Sequence, residues 1–424
     1  MTRPGHGRDI VCCYAGPLLP TVHAMPPSAT NSTIPSIFLA FLKLGLTSFG
    51  GPVAHLGYLR SEFVLRRGWL DEARYGDLVA LCQFLPGPAS SQVGFALGVL
   101  RGGGLLGGLA AWVGFTLPSA LLMFAFALGA AKLAGPVAAG VVHGLKLVAV
   151  AVVAQAVWGM ARTLTPDRQR IGIALAAAAI VVFVDGPAGQ LGAIAAGALA
   201  GYWLCRGLLM QAGAGLSMPV GRRAGIAALV LFAFLLLALP LSAGLTGHHP
   251  LALFDAFYRS GALVFGGGHV ALPLLQAETV ATGWVTNETF LAGYGFAQAL
   301  PGPLFAFAAF LGAQAGMTDG ALGGAALALV ALFLPGLLLV HGMLPFWERL
   351  RRNAAARRAM MGANAAVVGI LGAALADPVW AGAVFDVRDA GVALAGFLLL
   401  TLGKAPPWIV VILAAAAGAL LGAV

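Results

Sequence analysis

Charge is the scarcest property of this sequence. Lys, Arg, Asp and Glu make up 9% of its 424 residues, against 60% hydrophobic residues and a mean hydropathy of +0.92. A soluble domain carries roughly a quarter of its residues as charges, so this composition excludes one. Cysteine is scarce as well. Cys12, Cys13, Cys82 and Cys205 form no CxxC spacing and have no nearby histidine partners, which argues against a metal site or a disulfide framework. Enzyme signatures are missing: there is no GxSxG elbow, no HExxH, no P-loop Gly-Lys-Ser/Thr and no paired intramembrane aspartate. No catalytic residue, metal or cofactor is therefore expected, and without an ATP motif any uphill transport must be secondary. The formal charge of +9 fits the Lys and Arg excess of cytoplasmic loops better than a nucleic-acid footprint.

What the chain does hold is apolar sequence in runs of spanning length, cut by glycine, proline and short basic clusters. That pattern suits an all-α polytopic membrane protein rather than a barrel. Two of the interruptions fall inside apolar blocks. The first block contains Leu44-Gly45-Leu46-Thr47-Ser48-Phe49-Gly50-Gly51-Pro52, and the next contains Gln83-Phe84-Leu85-Pro86-Gly87-Pro88. Both recur later as Ser260-Gly261-Ala262-Leu263-Val264-Phe265-Gly266-Gly267-Gly268 and Gln298-Ala299-Leu300-Pro301-Gly302-Pro303. Broken backbone survives in lipid only when buried in protein or lining a wet cavity. Matching breaks in two halves point to a transporter's substrate site.

The repeat continues beyond the breaks. At an offset of about 216, Phe41, Lys43, Gly45 and Glu62 meet Phe257, Arg259, Gly261 and Glu278, and Leu117-Pro118 meets Leu334-Pro335 with a small slip. An apolar helix at about 224–241 has no counterpart, and one extra crossing inverts the second half. Loop charges agree. Arg60, Arg66, Arg67 and Arg74 follow the first block, whereas 278–289 has no Lys or Arg. The loop at 129–137 has only Lys132, while its equivalent holds Arg349, Arg351, Arg352, Arg357 and Arg358. Arg162, Arg168 and Arg170 stand against a lone Arg388 in the next pair. Since cytoplasmic loops collect Lys and Arg, the halves are antiparallel. Crossing parity then favours re-entrant hairpins over kinked spans for the broken blocks. The expected organisation is a disordered tail at 1–33, one transport domain at 34–205, a basic linker with an unpaired helix at 206–250, and a second domain at 251–424.

Phe41-x-Lys43-x-Gly45 with Ser48-Phe49-Gly50-Gly51-Pro52, Gln83-x-x-Pro86-Gly87-Pro88 and the second-half copies resemble the chromate ion transporter family, in its two-domain long-chain form. The resemblance covers about residues 36–424. It implies chromate efflux across a bacterial inner membrane by proton antiport, conferring chromate resistance, with sulfate or another oxyanion as alternative cargo. A passive anion channel is a further alternative. The implied partners are chromate, protons and the lipid bilayer. Fusion of the halves removes one need for a homodimer without forbidding it.

Chromate is a tetrahedral dianion and needs cations or N–H donors in a low-dielectric site. Lys43 and Arg259 are matched cations that either bind it or snorkel to the interface. The amides of Gly50, Gly51, Gly87, Gly266, Gly267 and Gly302 are candidate donors. Gln83 and Gln298 either bind oxyanion oxygens or satisfy carbonyls freed by the breaks. Ser48, Ser90, Ser91 and Gln92 add polarity to the first half alone, because Val264, Phe305, Ala306 and Phe307 fall opposite; half two also has Gly268 where Pro52 stands. Proton coupling has four candidates: Glu62 and Glu278, which also read as solvated loop carboxylates, and His143 and His269, which also read as packed core histidines. His55 reads as a core histidine, and Lys146, opposite Asn364, is another intramembrane cation.

Overall fold

The computed structural model describes residues 32–49, 51–130, 136–184, 186–205, 219–265, 271–316 and 320–422. The expected tail up to residue 31 and most of the basic linker lie outside these residues, as do Gly50, Gly266, Gly267 and His269. Among the described residues every regular element is a helix.

The elements run in the same order twice. In the first half α1 (Ile34–Thr47) is followed by α2 (Pro52–Arg60), which continues as a π-helical turn (Ser61–Arg66). Then come α3 (Glu72–Phe84), α4 (Ala89–Gly102), α5 (Leu105–Ala130), α6 (Pro136–Leu164), α7 (Arg168–Phe183) and α8 (Gly186–Leu204). Helix α9 (Arg222–Thr246) stands alone. The second half repeats the series as α10 (His249–Ala262), α11 (Ala271–Thr279), α12 (Asn287–Ala297), α13 (Phe307–Ala315), α14 (Ala321–Met343), α15 (Trp347–Arg352), α16 (Ala354–Ala374), α17 (Val387–Thr401) and α18 (Pro407–Gly422). Short α15 is an addition to the repeat. Stretches long and apolar enough to cross a bilayer cover Leu105–Gly129, Ala139–Leu164, Arg222–Thr246, Ala321–Phe346 and Ala354–Trp380. Helix starts are set by local chemistry: Asp71, Asp167, Thr286, Asn353 and Asp386 each cap a helix with a side-chain oxygen.

The broken blocks fold back on themselves. The rings of Phe41 in α1 and Phe63 after α2 stack with centroids 4.6 Å apart, and Phe63 stacks on Trp69 at 4.4 Å. A straight helix would hold residues 41 and 63 about 33 Å apart. Arg259 in α10 reaches Glu278 in α11 at 2.8 Å, where a straight helix would separate them by about 28 Å. Phe290 and Tyr294 of α12 meet Phe307 of α13 across the second Pro-Gly-Pro break. Each short helix spans about 20 Å or less, too little for a 30 Å hydrocarbon layer. The hairpin reading holds.

The halves are threaded through each other. Helices α7 and α8 pack on α16 of the second half, and α17 and α18 pack on α6 of the first. The approach is close because small residues meet: Gly197 and Gly201 abut Gly362, and Gly140 and Gly144 abut Gly418 and Ala414. A methyl group at Gly144 or Gly362 would collide with the facing backbone.

Candidate functional site

The breaks from the two halves meet and complete each other. Helix α1 ends at Thr47 and α10 at Ala262, leaving the carbonyls of Ser48 and Val264 without a helical partner. Gly302 N–H donates to the Ser48 carbonyl at 2.8 Å, and Gly87 N–H donates to the Val264 carbonyl at 2.6 Å. Ser48 and Val264 are repeat equivalents, as are Gly87 and Gly302, so the two bonds are related by the molecular pseudo-two-fold. Both glycines have positive φ, +123° at Gly87 and +98° at Gly302, a conformation that penalises any side chain. Space is short as well. A methyl group on Gly302 would lie 2.8 Å from Ser119 Oγ, and one on Gly87 would lie 3.0 Å from the Gly336 α-carbon. Ser119 and Gly336 each follow the proline inside α5 or α14, so each glycine seats against the residue after a mid-helix proline.

This geometry revises the role expected of these amides. The N–H groups of Gly87 and Gly302 close the breaks instead of standing free for an anion. Gln92 completes the repair, donating Nε2 to the Pro86 carbonyl at 2.9 Å and the Gly336 carbonyl at 3.0 Å. The task of satisfying freed carbonyls thus falls to Gln92, while Gln83 is exposed on α3. Gly51 caps the start of α2, and Ser90 is buried in the first turn of α4.

Around Gly302 lies a set of buried polar groups whose hydrogen-bonding capacity is unspent. Ser48 is 0% exposed, Thr116 1%, His55 2%, and Gln298 9%. Among the described residues, Ser48 Oγ, Thr116 Oγ1, both ring nitrogens of His55 and Gln298 Nε2 have no hydrogen-bond partner. The His55 ring meets the Phe115 ring edge-on at 5.5 Å and lies beside the Ser48 carbonyl. Ser119 donates to the Thr116 carbonyl at 3.0 Å. Each buried polar group left unpaired costs about 1–3 kcal/mol, so a cluster of them marks a place built for a polar guest. The crevice between Ser119, Met123, Ala297, Gly302 and Phe307 has no room for a water molecule. The site is closed here. Across the pseudo-axis the equivalents of Ser48, His55 and Thr116 are apolar, being Val264, Ala271 and Phe333, while Gln298 has the polar Gln83 opposite.

The matched cations part ways. Lys43 is exposed on α1 and has no ion-pair partner among the described residues. Arg259 is committed, donating Nε to Asp255 Oδ2 at 3.0 Å and both terminal nitrogens to Glu278 at 2.8 and 3.0 Å. Its charge is therefore spent on carboxylates and is not free for an oxyanion, which corrects the picture of two equivalent free cations. In half one Leu39 stands where Asp255 would be, and Glu62 pairs with Arg66 at 2.9 Å and Arg67 at 2.7 Å. Burial pushes the Glu62 carboxyl up, but the two guanidiniums outweigh it and hold the group below the usual carboxylate range.

A second polar cluster lies where α6 meets α17. His143 Nε2 is 2.6 Å from Asp389 Oδ1, and its ring stacks on Phe385. Buried Lys146 is 3.5 Å from Glu288 and sits over the Phe385 ring. The structure brings together Ser48 and Gly302, and among the described residues no side-chain hydrogen bond or ion pair links Lys43, Gln83, Glu62 or His143 to them. Asp255, Thr116 and Ser119 were missed from the sequence. Asp255 could have been found as an acid four residues before Arg259 on one apolar helix. The two hydroxyls carry no such signal.

Residues 35–202 and 251–419 each match the family model described as Chromate transporter. The chain is 32% identical over 377 residues to a chromate transport protein of Pseudomonas aeruginosa, covering 84% of this chain and 83% of that protein. It is 28% identical over 359 residues to a probable chromate transport protein of Synechococcus elongatus, covering 79% and 82%. It is 27% identical over 358 residues to a chromate transport protein of Cupriavidus metallidurans, covering 83% of each. No solved structure matches the chain.

Proposed function

Because the chain belongs to the chromate transporter family, we propose that it is a secondary active transporter that exports chromate across the bacterial inner membrane in exchange for protons. The observation that carries this reading is the set of buried, unpartnered polar groups at Ser48, His55, Thr116 and Gln298, on the segments that meet at the junction of the two breaks. A dianion with four acceptor oxygens complements hydroxyl, imidazole and amide donors, and burial strengthens each such bond. Inverted halves turn one of the paired backbone bonds, Gly302–Ser48 or Gly87–Val264, toward each face of the membrane. Breaking one while keeping the other opens the site to one side at a time, as alternating access requires. Export is supported by the arginine-rich segment at 60–74, whose charge places it on the cytoplasmic side, where it would draw anions in.

Chromate uptake by everted vesicles, with and without an imposed pH gradient, tests the proposal. Accumulation above equilibrium that collapses with a protonophore is expected. Equilibration without accumulation would make the protein a channel, and strong inhibition by sulfate would name sulfate as cargo.

A further inference from the structure

In the second half three charged groups share one buried site: Asp255 and Arg259 on α10, and Glu278 at the end of α11. Asp255 is 5% exposed and Glu278 8%. Arg259 donates to Asp255 Oδ2 and to both oxygens of Glu278, and a guanidinium stays protonated in any protein environment. Two carboxylates against one guanidinium leave an excess negative charge in a low-dielectric setting. The fourth carboxylate oxygen, Asp255 Oδ1, is buried and has no donor facing it among the described residues. A buried oxygen of this kind is where an added proton would sit, and adding one makes the cluster neutral.

Among the described residues the surroundings supply no other compensating charge. Helices α9, α11, α13 and α14 pack on α10. On α9 the charges are Arg222 and Arg223 at its start, while Tyr258 of α10 meets it at Phe232, nearly three turns further on. Helix α11 contributes Glu278 itself, α13 has no titratable residue, and His341 of α14 packs against Phe95 of the first half. His249, at the start of α10, is taken up by the Ala315 carbonyl and the Trp284 ring. Beside Glu278, α8 carries no charge and α16 has Arg357 and Arg358 in its first turns. Glu278 is followed by exposed residues 281–283 in the loop free of Lys and Arg, which the charge pattern assigns to the outer face.

We propose that Asp255 and Glu278 jointly hold one exchangeable proton beside Arg259, and that this is the proton exchanged for chromate. The proposal rests on the proton-antiport reading above. Asp255 Oδ1 takes a proton from the outer side, forming a carboxylic acid and cancelling the excess charge, and returns the carboxylate when the proton leaves toward the cytoplasm. Half one cannot do the same, because Leu39 replaces the aspartate and two arginines already neutralise Glu62.

The test separates coupling from anion movement in everted vesicles. Wild type is expected to accumulate chromate when a pH gradient is imposed, and to exchange external for internal chromate without one. Asp255→Asn should lose the gradient-driven accumulation, falling to the level reached with a protonophore, while chromate–chromate exchange persists. Asp255→Glu should regain accumulation with a displaced pH profile. Full accumulation by Asp255→Asn overturns the proposal, and so does equal loss of accumulation and exchange in both variants. If wild type exchanges chromate but ignores the pH gradient, or follows a sodium gradient instead, the antiport reading itself fails. Glu278→Gln provides an independent check should Asp255→Asn not reach the membrane.

Discussion

Ser48 is a small residue with two separable duties. Its carbonyl accepts from Gly302, and its hydroxyl is buried with no partner among the described residues. Ser48→Ala keeps the backbone bond and removes the donor. A hydrogen bond to a charged group contributes about 1.5–3 kcal/mol, so the apparent Kd for chromate should rise roughly 10- to 100-fold with little change in Tm. Titration calorimetry on purified protein measures this, and unchanged affinity would remove Ser48 from the site. Gly302→Ala acts the other way. A left-handed backbone and the nearby Ser119 hydroxyl should together lower stability by about 1–3 kcal/mol, seen as a reduced melting temperature in detergent. Glu62 gives a pH prediction. Its folded-state carboxyl is held low by Arg67 and Arg66, so its ionised form stabilises the fold above the ordinary glutamate value of about 4.3. That contribution is lost as pH falls through the lower folded-state value. The melting-temperature gap between wild type and Glu62→Gln should therefore be full at neutral pH and vanish in acid.

At the scale of elements, the sequence exposed the hairpins more readily than their contents. Paired glycine–proline breaks, an unmatched helix and alternating loop charges led to two inverted copies with re-entrant blocks, and the stacked Phe41 and Phe63 rings bear out the folding-back. The partners of individual polar groups were not legible, because they depend on contacts between residues far apart in sequence. Nothing local says that Gln92 will bond Gly336, 244 positions away, or that Gly87 will bond Val264. Arg259 misled for a related reason: repeat alignment matched it to Lys43, while its environment was set by Asp255, which the first half lacks. Thr116 and Ser119 look like ordinary hydroxyls in an apolar helix until Ser119 is found beside Gly302. Replacing Pro118 with alanine should restore the helical hydrogen bond that proline cannot donate, shift Ser119 relative to Gly302 and cut transport, while Pro335→Ala should act through Gly336 and Gly87. Comparing the two in one assay asks whether the halves contribute equally.

For the whole molecule, threading matters more than the division into halves. Helices α6 and α16 are each covered by the last two helices of the opposite half, through glycine contacts that leave no room for a side chain. Gly144→Leu or Gly362→Leu should therefore reduce the yield of folded protein severely, whereas Gly159→Leu, on an open stretch of α6, should not. Fluorescence-detected size-exclusion profiles would read the difference. Cutting the chain in the linker before α9 should leave neither fragment stable by itself, while co-expression restores transport.

The same threading sets a timetable for biosynthesis. Helices α7 and α8 leave the ribosome with α16, their packing partner, about 150 residues from being made. They enter the bilayer with their small-residue faces uncovered and must wait there until α16 arrives. The first half is thus committed to the membrane before it can finish folding. Slowing elongation across α9 should prolong that exposed interval and favour degradation by membrane proteases.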